Sequence, residues 1–342
     1  MDVSESDTGP LLSVRDLHTE IVTRQGIVQA VNGVSFDVAR GESVGLVGES
    51  GSGKTMTCMS LMRLLPVRGA RITSGEVRFD GVDLTRLPES AMRGYRGRRM
   101  ALIMQDALTA LNPVLPVGSQ VAEPIRYHLG WARPKVRERV VDVMSSVRIP
   151  RPADRLGMFP HQFSGGTRQR IVAAMGMGAY PQLIIADEPT TALDVTTQAQ
   201  FLSIIRELRD ETGMSTIWVT HDLGIAAQVC DRINVMYAGR IVESGTVRRI
   251  LKSPLHPYTS ALMRSVPTLG VKRTRLPQIE GRPPDLRQLP AGCAFAPRCP
   301  LRMDICEREY PPATAVGDDG YVHCWDVARR SGESDAARPG QV

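Results

Sequence analysis

Residues 48–55 read Gly-Glu-Ser-Gly-Ser-Gly-Lys-Thr and fit the pattern G-x-x-x-x-G-K-(Ser/Thr) in full. An apolar run, SVGLVG (43–48), precedes them, and a helix-compatible run, MTCMSLMRLL (56–65), follows. Strand, glycine turn and helix in that order form a phosphate cradle. The glycines let consecutive backbone N–H groups turn onto anionic oxygens, and the helix N-terminus adds its positive end. Lys54 is placed to reach the β- and γ-phosphates, the Thr55 hydroxyl to ligate Mg²⁺, and the backbone N–H of Met56 to meet the α-phosphate. The candidate nucleotide contacts are therefore Gly48, Glu49, Ser50, Gly51, Ser52, Gly53, Lys54, Thr55 and Met56. ATP with Mg²⁺ is the expected ligand.

Such a loop needs an acidic partner at a strand end to hold the metal. The run LIIADE (183–188) supplies one: Leu183 to Ala186 are apolar, and Asp187 and Glu188 follow. Two adjacent carboxylates at a buried strand end are costly unless a cation or a water uses them. Asp187 is the expected Mg²⁺ ligand, and Glu188 the residue that polarises the attacking water.

The rest of the chain divides around these motifs. Residues 1–10 read as a loose tail, and β-rich sequence starts at Leu11. GVSFDV (33–38) alternates apolar and polar residues, and EVRFDGVDL (76–84) carries Asp80-Gly81 between alternating segments, a hairpin signal because both turn positions need positive φ. Residues 107–177 read as a helical insertion, with Val136, Val140, Val143 and Val147 at helical spacing and Pro134 suited to a first turn. The α/β pattern resumes with QLIIADEP, a helix over 195–211 and the apolar strand STIWVTHD (215–222). The nucleotide-binding region thus runs over 11–265, followed by a proline-rich, loop-rich extension over 266–328 and a disordered tail over 329–342.

Composition excludes some classes. No run approaches the roughly twenty apolar residues needed to span a bilayer, and the start, MDVSESDTGP, is acidic and polar, unlike a secretory signal. A cytosolic chain is expected. The net charge of +6 is scattered, with only short clusters such as Arg93, Arg96, Arg98 and Arg99, so a solvated surface is favoured over nucleic-acid binding.

FSGGTRQR (163–170), shortly before the acidic strand, resembles the LSGGQ signature of ATP-binding-cassette (ABC) ATPases. Gln105 in MQD, TALD (191–194) and His221 in VTHD resemble the Q-, D- and H-loops of that family, in matching order across about residues 11–250. The resemblance implies an α/β P-loop NTPase fold: a RecA-like parallel-sheet core with an antiparallel β subdomain and a helical subdomain. It implies a head-to-tail dimer in which Ser164, Gly165 and Gly166 close over the partner's γ-phosphate. His221 would touch the γ-phosphate, Gln105 would sit near Mg²⁺ and the lytic water, and Asp194 would communicate across the interface. Phe163 and Thr167 depart from the usual signature residues, and Val22 stands where an adenine-stacking aromatic is common.

MQDALTALNPV (104–114), FPHQFSGG, HPYTSAL (256–262) and GCAFAPRC (292–299) resemble ATPase subunits of the peptide/nickel importer family, to about residue 326. That implies an ATP hydrolase at the cytoplasmic face of the membrane, driving uptake of di- or oligopeptides. Its partners would be two transmembrane permease subunits, a second homologous ATPase subunit (or a second copy of this chain) and an extracytoplasmic substrate-binding protein, with no nucleic acid. A nickel or other small-ligand importer and a non-transport ATP switch are the alternatives.

Cys293, Cys299, Cys306 and Cys324, spaced C-x5-C-x6-C-x17-C, lie close enough in loop-rich sequence to surround one centre. Four thiols in a reducing compartment favour a metal over disulfides. Zinc often uses tighter C-x2-C knuckles, and resemblance to cluster-bearing importer ATPases implies a 4Fe–4S cluster. Zinc and unliganded cysteines remain the alternatives, with His323 as a further candidate ligand. Cys58 and Cys230 stand in apolar contexts and read as core residues.

Overall fold

The computed structural model describes residues 9–65, 68–105, 107–265, 279–317 and 320–336. In chain order, β1 (Leu12–Thr23), β2 (Gly26–Val38) and β3 (Ser43–Val47) precede α1 (Lys54–Leu61), β4 (Ala70–Phe79) and β5 (Val82–Asp83). Next come α2 (Glu89–Met92), β6 (Met100–Ile103), α3 (Ala107–Ala110), α4 (Val117–Leu129), α5 (Arg133–Ser146), α6 (Pro152–Arg155) and α7 (Gly165–Met177). They are followed by β7 (Leu183–Asp187), α8 (Val195–Thr212), β8 (Ser215–Thr220), α9 (Leu223–Val229), β9 (Arg232–Tyr237) and β10 (Arg240–Thr246). The chain closes with α10 (Val247–Lys252), α11 (Pro257–Arg264), α12 (Ile305–Arg308), β11 (Ala313–Val316), β12 (Gly320–His323) and α13 (Trp325–Ala336). Two compact units result.

The first unit holds the chain up to Ser13, Asp37–Ser43 and Val77–Val219. Its core is a parallel run, β6 beside β7 beside β8, with Ile103 opposite Ala186 and Ile185 opposite Ile217. Every residue of β7 and β8 is buried, as expected for parallel strands covered on both faces. Helices α3 to α7 fill the stretch read as helical. The α5 stripe Val136, Val140 and Val143 is buried, and Pro134 occupies the first turn. The Asp80-Gly81 turn joins β4 to β5 with both residues at positive φ. Hydrogen bonds from Arg40 and Arg99 hold the Asp80 carboxyl below its usual range.

The second unit holds Val14–Phe36, Val44–Glu76 and the chain from Thr220 onward. Here β1 lies between β2 and β4, while β3 pairs in parallel with β9 and β10 returns antiparallel to β9. Glu243 in β10 is fully buried, yet its carboxylate accepts from Arg249 Nη1 at 2.7 Å, Leu255 N at 3.0 Å and His256 N at 2.9 Å. A buried charge with that many donors is compensated rather than stranded. It ties the HPYTSAL segment to the sheet. Cys58 and Cys230 are buried, in keeping with their reading as core residues.

The extension departs from its loop-rich expectation. Strand β12 pairs antiparallel with β10, Glu243 opposite Val322, and β11 adds beyond it, so the end of the chain enlarges the second unit's sheet. Residues 329–336, expected to be disordered, continue helix α13, with an Asp326–Arg330 pair at i,i+4 and a Cys324 carbonyl accepting from Ala328 N. Four-residue strands are too short to show a period, and a helix rich in Ser, Asp, Glu and Arg shows no apolar stripe. Residues 1–8 of the tail expected at 1–10, residues 266–278 of the extension and residues 337–342 lie outside the described residues.

Candidate nucleotide-binding site

In the second unit, β3 delivers the chain to the glycine loop and α1 leaves it. Close approach explains two of the glycines. A Cβ on Gly48 would lie 2.2 Å from the Met236 carbonyl oxygen, and one on Gly53, at φ 102°, 2.4 Å from the Ala30 carbonyl oxygen. The loop is also pinned from outside, since Gly239 N donates to Ser52 O at 2.9 Å, and the first turn of α1 closes with Thr57 N donating to Gly53 O at 2.8 Å. Lys54 is 4% exposed, and its Nζ donates to the Gly48 and Glu49 carbonyls at 2.8 and 3.0 Å. Thr55 is exposed at the first turn of α1, and Met56 is half-buried behind it. The buried Ser52 Oγ finds no hydrogen-bond partner among the described residues. A glycine turn at a helix N-terminus, one buried ammonium and one orphaned hydroxyl suit a polyphosphate.

In the first unit, Asp187 ends β7 and is buried, and Glu188 follows at φ 44°, a left-handed conformation that costs a non-glycine residue energy. Glu188 N donates to the Val219 carbonyl at 3.0 Å, and its Oε2 accepts from the Thr191 hydroxyl at 3.1 Å. The strained turn therefore places a carboxylate that the Thr191 hydroxyl contacts. Gln105 is exposed just after β6.

The signature and D-loop residues meet in that same unit. Ser164 caps α7, its Oγ accepting from Thr167 N, and the Ser164 and Thr167 hydroxyls lie 2.9 Å apart. The departure at Thr167 thus completes the cap, while Phe163 is buried. A Cβ on Gly166 would lie 2.2 Å from the Thr197 methyl, whereas one on Gly165 would meet nothing. Thr197 in turn donates to Asp194 through N and Oγ1 at 2.9 and 2.8 Å. These bonds hold the Asp194 carboxyl below its usual range, backbone donor first.

His221, in the second unit, is exposed immediately after β8. Val22 is 47% exposed on β1 and supplies no aromatic face.

The four extension cysteines line one small cavity, about 20 Å³, with Phe295, Ala296, Pro257, Pro311 and Trp325 among its walls. They are free thiols, and burial pushes Cys293 up to about 11 and Cys299 and Cys324 upward. Among the described residues no group of three or more His, Cys, Asp or Glu side chains is disposed to hold a metal ion. Four thiols thus share the wall of one cavity. His323 is turned to the Pro311 carbonyl, with Nδ1 2.9 Å from it.

One functional neighbour escaped the sequence reading. Arg298, between Cys293 and Cys306, is 4% exposed and reaches Glu49 of the glycine loop through two bonds, 2.8 and 3.1 Å. Tyr258 is fully buried, and its Oη accepts from Glu49 N at 2.8 Å. No local pattern announces either contact, because the partners stand some 250 and 209 positions apart.

Glycine loop, acidic strand end, serine-capped signature helix and capped D-loop define an ATP-binding cassette, and comparison with known proteins agrees. The family described as ABC transporter matches residues 31–191, and that described as oligopeptide/dipeptide transporter, C-terminal region, matches 242–306. A dimeric, post-hydrolysis structure of the cassette MJ0796 bound to ADP and Pi superposes with a TM-score of 0.62 at 25% identity, covering 69% of this chain and 99% of that one. The dipeptide transport ATP-binding protein DppD of Bacillus subtilis (strain 168) is 50% identical over 92% of this chain and 94% of its own length. The oligopeptide transport ATP-binding protein OppD of the same organism is 46% identical over 92% of this chain and 88% of its own. The chain belongs to the ATP-binding subunits of oligopeptide/dipeptide ABC transporters.

Proposed function

We propose that this chain hydrolyses ATP to drive import of di- or oligopeptides through separate membrane subunits. The observation that carries the reading is likeness to dipeptide and oligopeptide transport ATPases along nearly the whole chain, extension included. Among the described residues no helix is long and apolar enough to cross a membrane, so docking on permease subunits at the cytoplasmic face fits. An extracytoplasmic binding protein would hand over the peptide, and a homologous ATPase or a second copy would complete the cassette dimer.

In this reading backbone N–H groups of the glycine loop other than Glu49, whose N–H is taken by the Tyr258 hydroxyl, bind the phosphates of ATP, and Lys54 exchanges its bonds to the Gly48 and Glu49 carbonyls for phosphate oxygens. Thr55 of the second unit, and Asp187 and Gln105 of the first, are each proposed as a Mg²⁺ ligand; the ion would supply neutralisation of charge developing on the transferred phosphoryl group. Glu188 orients and polarises the attacking water, with Thr191 fixing its carboxylate. His221 contacts the γ-phosphate. Ser164, Gly165 and Gly166 present a capped helix N-terminus to the partner's nucleotide, and Asp194 stiffens the turn behind them.

The four cysteines are proposed to hold a 4Fe–4S cluster, and their convergence on one apolar-walled cavity supports this. Such a cluster would supply a structural anchor for the extension. Its test is the iron content of anaerobically purified protein, expected at about four irons per chain and lost on joint substitution Cys299→Ser and Cys306→Ser; iron retained by that variant overturns the assignment. The transport reading is tested by affinity purification from membranes followed by ATP-dependent peptide uptake in vesicles. Co-purifying permease subunits and uptake abolished by Lys54→Ala are expected. A chain that recovers no membrane subunit is an ATP switch of another kind.

A further inference from the structure

Arg298 belongs to the cysteine-bearing extension, yet nothing about its setting is peripheral. Its guanidinium has five N–H donors, and all are used: Nε to Glu280 O at 2.9 Å, Nη1 to Glu49 Oε2 at 2.8 Å and Tyr237 Oη at 3.1 Å, Nη2 to Glu49 Oε1 at 3.1 Å and Ile279 O at 3.1 Å. The ring faces of Tyr237 and Phe295 lie 5.8 and 5.7 Å from its central carbon. A 4% exposed guanidinium with a two-pronged carboxylate contact is rigid, and rigidity passes to its partner.

That partner is the second residue of the phosphate-binding loop. Glu49 is held twice, by Arg298 at the carboxylate and by the Tyr258 Oη at the backbone N–H. Tyr258, Tyr237 and Phe295 pack as one aromatic cluster, with centroids 4.6 to 5.4 Å apart. Pro283, Pro284 and Leu286 line a small cavity with Glu49, Ser50, Gly51 and Ser52. The arginine itself sits on a turn closed by Cys299 N to Ala296 O and Arg298 N to Phe295 O, bracketed by Cys293 and Cys299.

We propose that Arg298 is a positioning residue for the nucleotide site: by clamping Glu49 it holds the glycine loop in its phosphate-binding shape, so the fold of the cysteine segment sets ATP affinity. The inference rests on the reading of residues 48–55 as the ATP site. Loosening Glu49 leaves the backbone donors less organised before ATP arrives, which lowers affinity while sparing the chemistry of the closed complex.

The test measures ATP binding to the purified full-length chain, and KM and kcat in the assembled transporter, for Arg298→Gln, Glu49→Gln and the double variant. Each single change is expected to raise the ATP Kd and KM about tenfold, with the kcat of Arg298→Gln altered less than about twofold. The double variant should be no weaker than either single, since both remove one contact. The charge swap Glu49→Arg with Arg298→Glu should recover part of the affinity. Single variants that bind ATP like the wild type, or effects that add in full, overturn the inference. If Arg298→Gln unfolds the extension, seen as newly reactive thiols, Glu49→Gln on the loop side still decides between the outcomes. A wild-type chain that binds no ATP overturns the loop reading itself, and is thereby distinguishable.

Discussion

The glycine loop at 48–55 and the cysteine segment at 292–306 are built alike and read differently. Each contains a buried glycine whose Cβ would collide with a backbone carbonyl at 2.2 Å, Gly48 with Met236 O and Gly292 with Cys306 O. Each is a tight run of turns held by backbone hydrogen bonds, and both lie in the same compact unit. The loop, however, carries the residues proposed to bind phosphate consecutively, whereas the cysteine segment assembles thiols from 293 to 324 and sends its arginine to residue 49. A contiguous site announces itself in sequence; a discontinuous one must be folded to be seen.

The largest effect should separate the two regions. Gly48→Ala forces a methyl group onto a carbonyl that the sheet cannot move, and is expected to weaken ATP binding more than about 100-fold, measured by equilibrium titration. Gly292→Ala makes the same collision in the extension. It is expected to cost about 2–4 kcal/mol in denaturant unfolding and to expose Cys306 to thiol reagents. If the glycine loop and the cysteine segment are energetically joined, this variant also weakens ATP binding; unchanged affinity with exposed thiols would separate them.

A smaller effect sharpens the contrast from the first unit, where the obstacle is a side chain instead of backbone. Gly166→Ala meets the Thr197 methyl, and is expected to cost about 1 kcal/mol, in thermal unfolding of the purified chain. Adding Thr197→Ser removes that methyl and keeps the hydroxyl bonded to Asp194, so it should restore most of the loss. No recovery would show that the signature glycine answers to something other than this contact.

Much of the cassette was legible because its signals are local. The strand before Gly48, the Asp80-Gly81 turn, the Val136/Val140/Val143 stripe and the acidic end of β7 each follow from a few neighbouring residues. The order of motifs placed Gln105, Ser164, Asp194 and His221 without any knowledge of their contacts. What stayed hidden depends on long-range pairing. Strand β12 is recognised only when Val322 meets Glu243, and α13 carries an Asp326–Arg330 ion pair in a stretch rich in polar and charged residues. The convergence of the four thiols was expected from spacing alone, but the clamp from Arg298 had no local signature. Thr197 likewise gains its meaning from Gly166, thirty-one positions away.

In the proposed ATPase Glu188 serves the lytic water while the glycine loop binds the nucleotide. Turnover and ATP affinity of Glu188→Gln in the assembled transporter test it most directly. Wild-type-like ATP binding with turnover reduced by roughly 10²–10³-fold is the predicted result. Turnover that survives the substitution would contradict it, and would move the catalytic carboxylate elsewhere in the cassette.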